Sequence, residues 1–432
     1  MRILCSGDLH IGRGSSKIPA YGDRSFSCSA TWDRIVDSAI DHKVGLVLLS
    51  GDLVDRANRR YEAYGALERG VNRLIKHKIR TCAVAGNHDF DVLPVIARNL
   101  DPHYFTLLGK NGEWEETTVD FEGESALRLV GWSFPKNEVR YNPLESYNIS
   151  SDGVLPVLGM LHTELDTKES KYAPVAVHDL QRQDVALWLL GHIHIPQIIR
   201  SSLGQIVLNP GSPQAMDPGE CGPHGPYIVE ILGNRVLEPV QLRLSSVVYN
   251  YFDIDVGGIN DELQCQSRIR QELHTRLTAE NGDNDALRVA SYRIKITGAT
   301  PLHSSMNKIL QNLESDQLRS GEINLHLERI EIDTKPPVKL TQLSEGKDIL
   351  ASLARILLSI EQGVVADEYK DLLRNTQRKL KDVQESSSYV GVSRDRTDNS
   401  DDDTPDETIA IECLQVECRN LLAALLAQKE AK

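Results

Sequence analysis

Thr81-Cys82-Ala83-Val84-Ala85-Gly86-Asn87-His88-Asp89 is an apolar run that ends at a glycine and then presents three polar side chains in succession. Such a run reads as a buried strand stopping at a loop that carries metal-binding and acid/base groups. Four other stretches repeat the pattern. Arg2–Ser6 leads into Asp8-Leu9-His10, and Gly45-Leu46-Val47-Leu48-Leu49-Ser50 into Gly51-Asp52. Val154–Leu161 ends at His162, and Ala186-Leu187-Trp188-Leu189-Leu190 at Gly191-His192-Ile193-His194.

Between these runs lie segments with helical spacing: Trp32, Ile35, Val36, Ala39 and Ile40 in one, Leu67, Val71, Leu74 and Ile75 in the next. Apolar strands alternating with amphipathic helices give an α/β domain with a largely parallel sheet. In such sheets the site lies at the C-terminal ends of the strands, where all five polar groups fall. Carboxylate, imidazole and amide oxygen suit manganese, iron or zinc. Asp8, His10, Asp52, Asn87, His162, His192 and His194 exceed the needs of one ion but suffice for two bridged by a shared carboxylate. Such a pair clamps a phosphate and activates water. A single histidine at a strand end is usually structural, and Asp52 alone would pass for a turn former. Five coincident strand ends are not explained that way.

Composition narrows the class. The 432 residues, 40% hydrophobic and 25% charged, describe a globular chain of two or three domains. A formal charge of −14 argues against non-specific wrapping of nucleic acid, so any DNA contact must come from a local basic patch, a partner or bound metal. Nothing approaches the roughly 18–20 apolar residues of a membrane span. Seven scattered cysteines and a first strand that begins at once predict a reducing cytoplasm.

Residues 1–245 hold every polar strand end. Residues 246–335 read as a smaller α+β domain, and Pro336-Pro337 punctuates its end. A helical segment spans 340–385, with an amphipathic helix expected over 343–361. The stretch 386–406, with Ser386-Ser387-Ser388 and Asp401-Asp402-Asp403, reads as a flexible acidic linker. Residues 407–432 regain an apolar stripe of Ile411, Leu414, Cys418, Leu421, Leu422 and Leu425.

Asp8-Leu9-His10, Gly51-Asp52, Gly86-Asn87-His88-Asp89, His162 and Gly191-His192-Ile193-His194, in that order, resemble the signature of the calcineurin-like metallophosphoesterases over about 1–245. The resemblance implies a two-sheet sandwich flanked by helices (αββα) and two divalent ions, manganese foremost. By it Asp8, His10 and His194 hold one ion, Asn87, His162 and His192 the other, and Asp52 bridges them. His88 becomes the acid that donates to the leaving oxygen, or a stabiliser of transition-state charge.

Gly12, the loop Asn209-Pro210-Gly211-Ser212, Glu220, Gly222 and the added α+β domain resemble the DNA-repair exonucleases of the SbcD type. That likeness implies a cap domain, to which Arg293-Ile294-Lys295-Ile296-Thr297-Gly298 is similar. It also implies DNA as substrate, a homodimer, and an SMC-like ATPase of the SbcC type bound by helices at 343–361 and 407–428. Asp55 stands where some members carry a second catalytic histidine. Arg56, Arg59 and Arg60 follow it as candidate contacts to DNA phosphates. Two other readings stay open: a stand-alone phosphodiesterase for a nucleotide or other small phosphate ester, and a non-catalytic scaffold for an ATPase. The acidic charge favours the first of these, and the intact ligand set argues against the second.

Overall fold

The computed structural model describes every residue except 20–23, 56–60, 122, 152, 168, 203, 281, 283, 315–317, 363–365, 385–406, 431 and 432. The expected linker at 386–406 and the candidate DNA contacts Arg56, Arg59 and Arg60 therefore lie outside the described residues. Met1–Lys335 forms one compact unit and Pro336–Lys432 a second.

The first unit opens with β1 (Arg2–Ser6), α1 (Cys28–Asp41), β2 (Leu46–Leu49), α2 (Tyr61–Lys76), β3 (Arg80–Ala83), α3 (Leu93–Asn99) and β4 (Phe105–Leu107). The strands run parallel in the order β1-β2-β3-β4. Then follow β5 (Glu115–Phe121), β6 (Glu124–Trp132), β7 (Val157–His162), α4 (Val177–Gln181), β8 (Leu187–Gly191), β9 (Gln197–Arg200) and β10 (Ile206–Asn209). They build a second sheet, β5-β6-β7-β8-β10-β9, parallel through β6, β7, β8 and β10. The chain returns through β11 (Tyr227–Leu232), antiparallel to β1, with β12 (Arg235–Val236) and β13 (Val240–Gln241) beside it.

Alternation along each strand sorts side chains between two layers. Leu46 and Leu48 of β2 face the second sheet, meeting Leu158, Met160, Leu187 and Leu189. Val47 and Leu49 face the helices, with Trp32, Ile35, Leu67 and Val71. That two-sided burial is why β2 is apolar at every position. The outer face of the second sheet is covered by α4 and by loops carrying Phe134, Val139, Leu144 and Val175 around Trp132 and Trp188. The result is the mixed α/β sandwich that the sequence implied, with more loop than helix on this side. Trp32, Trp132 and Trp188 are fully buried. Each removes roughly 150–250 Å² from water, about 4–6 kcal/mol before the entropy of ordering. Trp188 also pins α4, its Nε1 donating to Leu180 O at 3.1 Å.

Beyond 245 come β14 (Val247–Asp255), α5 (Glu262–Glu280), β15 (Val289–Ala299), α6 (Met306–Glu314), β16 (Arg319–Ser320) and β17 (Ile323–Lys335). Their sheet runs β14-β15-β17-β16 and buries Phe252, Ile294 and Ile296 under α5 and α6. Val247, Tyr249 and Val289 pack with Ile18, Phe26 and Ala215, joining this sheet to the sandwich within the same unit.

The second unit comprises α7 (Leu340–Ser344), α8 (Ile349–Glu361), α9 (Lys370–Gln384) and α10 (Glu407–Glu430). The single helix expected over 343–361 is broken, because Asp348 takes the N-cap position and accepts from Ala351 N at 3.0 Å. Leu414, Cys418 and Leu422 of α10 pack against Leu350, Leu353 and Leu357 of α8. Most of the stripe at 407–428 is thus engaged inside the unit, but its Leu421 is exposed, as are Ile409 and Val416 of α10. No helix among the described residues is long and apolar enough to cross a membrane.

Candidate metal centre

The ends of β1, β2, β3, β7 and β8 bring Asp8, His10, Asp52, Asn87, His88, His162, His192 and His194 to one edge of the sandwich. Donor atoms of Asp8, His10 and His194 lie within 4.8 Å of one another, and so do those of Asp52, His162 and His192. A third group, His10, Asp55 and His88, meets the same criterion and overlaps the first at His10. Asn87 joins the second, its Oδ1 lying 3.2 Å from His162 Nε2. A cleft of about 530 Å³ opens near Leu155, Asp184 and Arg235, by the start of β7. It lies at the edge opposite His162 and carries none of these groups.

Local backbone conformation explains how short motifs turn their side chains inward. Asp8 (φ 48°), His10 (φ 44°), Asp52 (φ 51°) and His192 (φ 96°) all adopt left-handed conformations. Each costs a non-glycine residue about 1–3 kcal/mol and persists only where surrounding contacts over-determine it. Those contacts are present: Asp8 N donates to Gly51 O at 3.0 Å, His10 N to Asp52 O at 2.9 Å, and His192 N to both Asp8 oxygens at 3.0 Å. The glycine before each polar run has a steric reason. A Cβ on Gly86 would stand 2.1 Å from Asp52 Oδ1, and one on Gly191 2.3 Å from Ser50 O.

The donor set fits divalent cations. His162 Nδ1 lies 2.9 Å from Ser50 O, an acceptor, so that nitrogen carries the proton and Nε2 the lone pair. Nε2 nevertheless faces Asn87 Oδ1 at 3.2 Å and Asp52 Oδ2 at 3.3 Å. His194 Nδ1 likewise donates to Glu220 Oε1 at 2.8 Å, while its Nε2 faces His10 Nε2 at 3.1 Å. Lone pairs converge at both places, an arrangement that a cation or an added proton relieves.

Titration behaviour follows the same balance. Burial raises the Asp8 carboxyl, only partly opposed by His162 and His194. Burial would raise Asp52 too, but His162, His10 and His88 hold it below the usual carboxylate range. For His162, burial opposes the charged form, yet contact with Asp52 and the charge of Asp8 outweigh it and raise the imidazole to about 9. His192 is pushed down to about 3 by burial and by His162. Glu220 is held low by His194 despite its burial.

His88 differs from the ligand histidines. Its side chain is 32% exposed, and its Nδ1 lies 3.5 Å from Asp55 Oδ1. Its backbone N donates to Asp52 Oδ1 at 2.8 Å. Asp55 raises the His88 imidazole, by direct contact first and by charge, against partial burial. Asp55 Oδ1 also lies 3.5 Å from His10 Nδ1. Asp89 closes the loop, its two oxygens accepting from Leu53 N at 2.7 Å and Gly86 N at 2.8 Å.

Sequence reasoning gave no role to Asp55, Asp89, Glu220 or the Ser50 carbonyl. Asp55 marked a departure from the family pattern, Asp89 ended the opening motif and Glu220 followed the quoted loop, so each was visible without a partner to explain it. A carbonyl leaves no mark on residue identity.

Residues 1–196 match the calcineurin-like phosphoesterase family, and residues 249–335 match the middle domain of metallophosphoesterase YhaO. The chain is 25% identical over 412 residues to the uncharacterized metallophosphoesterase YhaO of Bacillus subtilis, covering 90% of this chain and 97% of that protein. It is 22% identical over 405 residues to the DNA double-strand break repair protein Mre11 of Methanopyrus kandleri, covering 86% of this chain and 84% of that one. A solved dimetal phosphatase from Danio rerio aligns at 15% identity with a TM-score of 0.35, covering 56% of this chain and 98% of that one.

Proposed function

We propose that the chain, whose residues 1–196 match the calcineurin-like phosphoesterase family, is a two-metal phosphodiesterase that cleaves DNA as the nuclease subunit of an SbcC–SbcD-like repair complex. The observation carrying the hydrolytic part is the convergence of two three-residue donor groups and Asn87 on one sheet edge, with Asp52 of the second group 4.0 Å from His10 of the first and the half-exposed His88 beside them. The DNA part is supported by the likeness to Mre11 over most of both chains.

Asp8, His10 and His194 would hold one divalent ion, Asn87, His162 and His192 the other, and Asp52 both. Two such ions supply Lewis-acid neutralisation of a phosphate ester and a lowered pKa for attacking water, with manganese our first expectation. Asp8 is set by the His192 backbone N–H, and His162 is oriented by Ser50 O. His88 turns Nδ1 toward Asp55 and so directs Nε2 to the opposite side of the ring. Raised by that carboxylate, its imidazole holds its proton to higher pH than a free histidine and would donate it to the leaving oxygen. The Asp52 carboxylate accepts from His88 N, so the acid and the shared ligand move together.

An SMC-like ATPase would dock on the second unit, with Ile409, Val416 and Leu421 as the apolar side chains α10 offers. A homodimer and a cytoplasmic location complete the proposal; the seven cysteines are all free. The formal charge of −14 favours a second reading, a free-standing phosphodiesterase for a nucleotide or another small ester.

Purified protein with Mn²⁺ should degrade linear duplex DNA, and His88→Ala and Asp52→Ala proteins should not. Cleavage of a generic phosphodiester but not of DNA would transfer support to the second reading. If neither is cut with any divalent metal, the hydrolytic proposal fails. Copurification of a coiled-coil ATPase that persists after removal of 407–432 would refute docking through α10.

A further inference from the structure

We infer that Glu220 is a positioning residue for one of the two ions: it fixes the His194 proton on Nδ1, so that Nε2 is presented as a lone pair beside Asp8 and His10. This rests on the two-metal reading above.

Glu220 is only 7% exposed, and three donors hold it. Oε1 accepts from His194 Nδ1 at 2.8 Å, while Oε2 accepts from Met216 N at 2.8 Å and Ser212 Oγ at 2.9 Å. With one oxygen anchored on two groups of its own loop, the carboxylate cannot follow His194 if the ring turns; the ring must come to it. The same loop grips the backbone of the ligand. Ser212 N donates to His194 O at 2.9 Å, and Asn209 Nδ2 to Ile193 O at 2.8 Å and Ile195 O at 3.1 Å.

The loop is itself seated on the third sheet. Gly222 N donates to Tyr249 O at 2.9 Å, and Met216 O accepts from Ser16 N at 2.8 Å. Tyr249 Oη closes the circuit on Ser16 O. One ion's ligand is therefore oriented by a carboxylate whose place depends on β14, whereas His162 leans on the main chain of the sandwich itself.

A carboxylate behind an imidazole fixes its tautomer and raises its basicity, and losing such a partner costs about 10–100-fold in metal affinity. Without Glu220 the His194 proton is free to occupy Nε2, where an N–H would point at the cation site. The loss should fall on a single ion.

The test is titration of the full chain with Mn²⁺, following free Mn²⁺ by electron paramagnetic resonance and bound metal by elemental analysis. The unaltered protein should hold two ions. Glu220→Ala should keep one ion at unchanged affinity and hold the other about 10–100-fold more weakly. Two conservative variants guard against misfolding. Glu220→Gln keeps size but replaces one accepting oxygen by an NH2, which meets either the Met216 N–H or His194 Nδ1, so it should weaken the same ion as Glu220→Ala. Glu220→Asp keeps the charge but is one methylene short, and should lose the same ion as Glu220→Ala. Equal affinity for both ions in Glu220→Ala, equal weakening of both, or full retention of both ions by Glu220→Gln or Glu220→Asp would each overturn the inference. Fewer than two ions on the unaltered chain would instead bring down the two-metal reading beneath it.

Discussion

His194 and His162 face the same cluster from the second sheet, yet the nitrogen each turns away from it meets a different kind of partner. For His194 it is the Glu220 carboxylate at 2.8 Å, carried on an irregular loop; for His162 it is the Ser50 main-chain carbonyl at 2.9 Å, at the end of β2. A carbonyl inside a sandwich is fixed by the sheet and cannot be altered by substitution. A carboxylate on a loop is adjustable, and it lends its ligand more basicity. One half of the centre is therefore as rigid as the fold, while the other depends on a segment that also seats the third sheet.

The largest effect should come where the halves meet. Asp52 Oδ2 lies 3.3 Å from His162 Nε2 and 4.0 Å from His10 Nε2. Asp52→Asn should release both ions and lower phosphodiester hydrolysis about 10³-fold or more, since each ion supplies several kcal/mol of charge stabilisation. Elemental analysis finding two ions still bound would mean the halves do not share this ligand. His88→Ala should come next, slowing hydrolysis about 10²–10⁴-fold with both ions retained. Loss of metal in that variant would move His88 from the acid to the ligands.

The rigid half also makes a stability prediction. His162 in the metal-free chain is raised from the ordinary histidine value near 6.5 to about 9. Its proton therefore stabilises the fold fully below pH 6.5, and that contribution is lost as pH rises through 9. In EDTA the thermal midpoint should fall between pH 6.5 and 9; with Mn²⁺ bound the slope should flatten, because the cation replaces the proton. Parallel slopes with and without metal would show that His162 Nε2 does not face the ion.

The sequence was most informative where side-chain identity and backbone placement coincide. The runs ending at Ser50, Ala85 and Leu190 read as strands because both faces are buried, and the polar groups after them could only lie at the sheet edge. The glycines before those groups were legible as punctuation, but their steric reason, the approach of Asp52 to Gly86, needed coordinates. Orienting groups were hidden for a different reason. Glu220 is 26 residues from His194 along the chain, and neither composition nor periodicity encodes that pairing. The break between α7 and α8 was legible, since the polar run Ser344-Glu345-Gly346-Lys347-Asp348 interrupts the apolar stripe with a glycine and a capping aspartate, though a single helix over 343–361 reads across it. Small elements such as β4 and β9 are too short to show a period.

Asp55 should give the smallest effect, and a directional one. It touches His10 and His88, each at 3.5 Å, so it stands on the adjustable side of the centre. Because Asp55 is the foremost cause of the raised His88 imidazole, Asp55→Asn should lower that pKa. An acid that loses its proton earlier cuts off activity earlier as pH rises, so the alkaline limb of kcat/KM should move to lower pH. The rate on the low-pH side, where His88 is protonated in both proteins, should fall less than about tenfold. The substrate decides whether this limb belongs to the acid. DNA leaves as an alkoxide and needs the proton, whereas a 4-nitrophenyl ester leaves as a stable phenolate and does not. The limb should therefore shift for DNA and be weak or missing for the nitrophenyl ester. A shift of equal size on both substrates would mean that Asp55 acts through His10 and the metal rather than through His88.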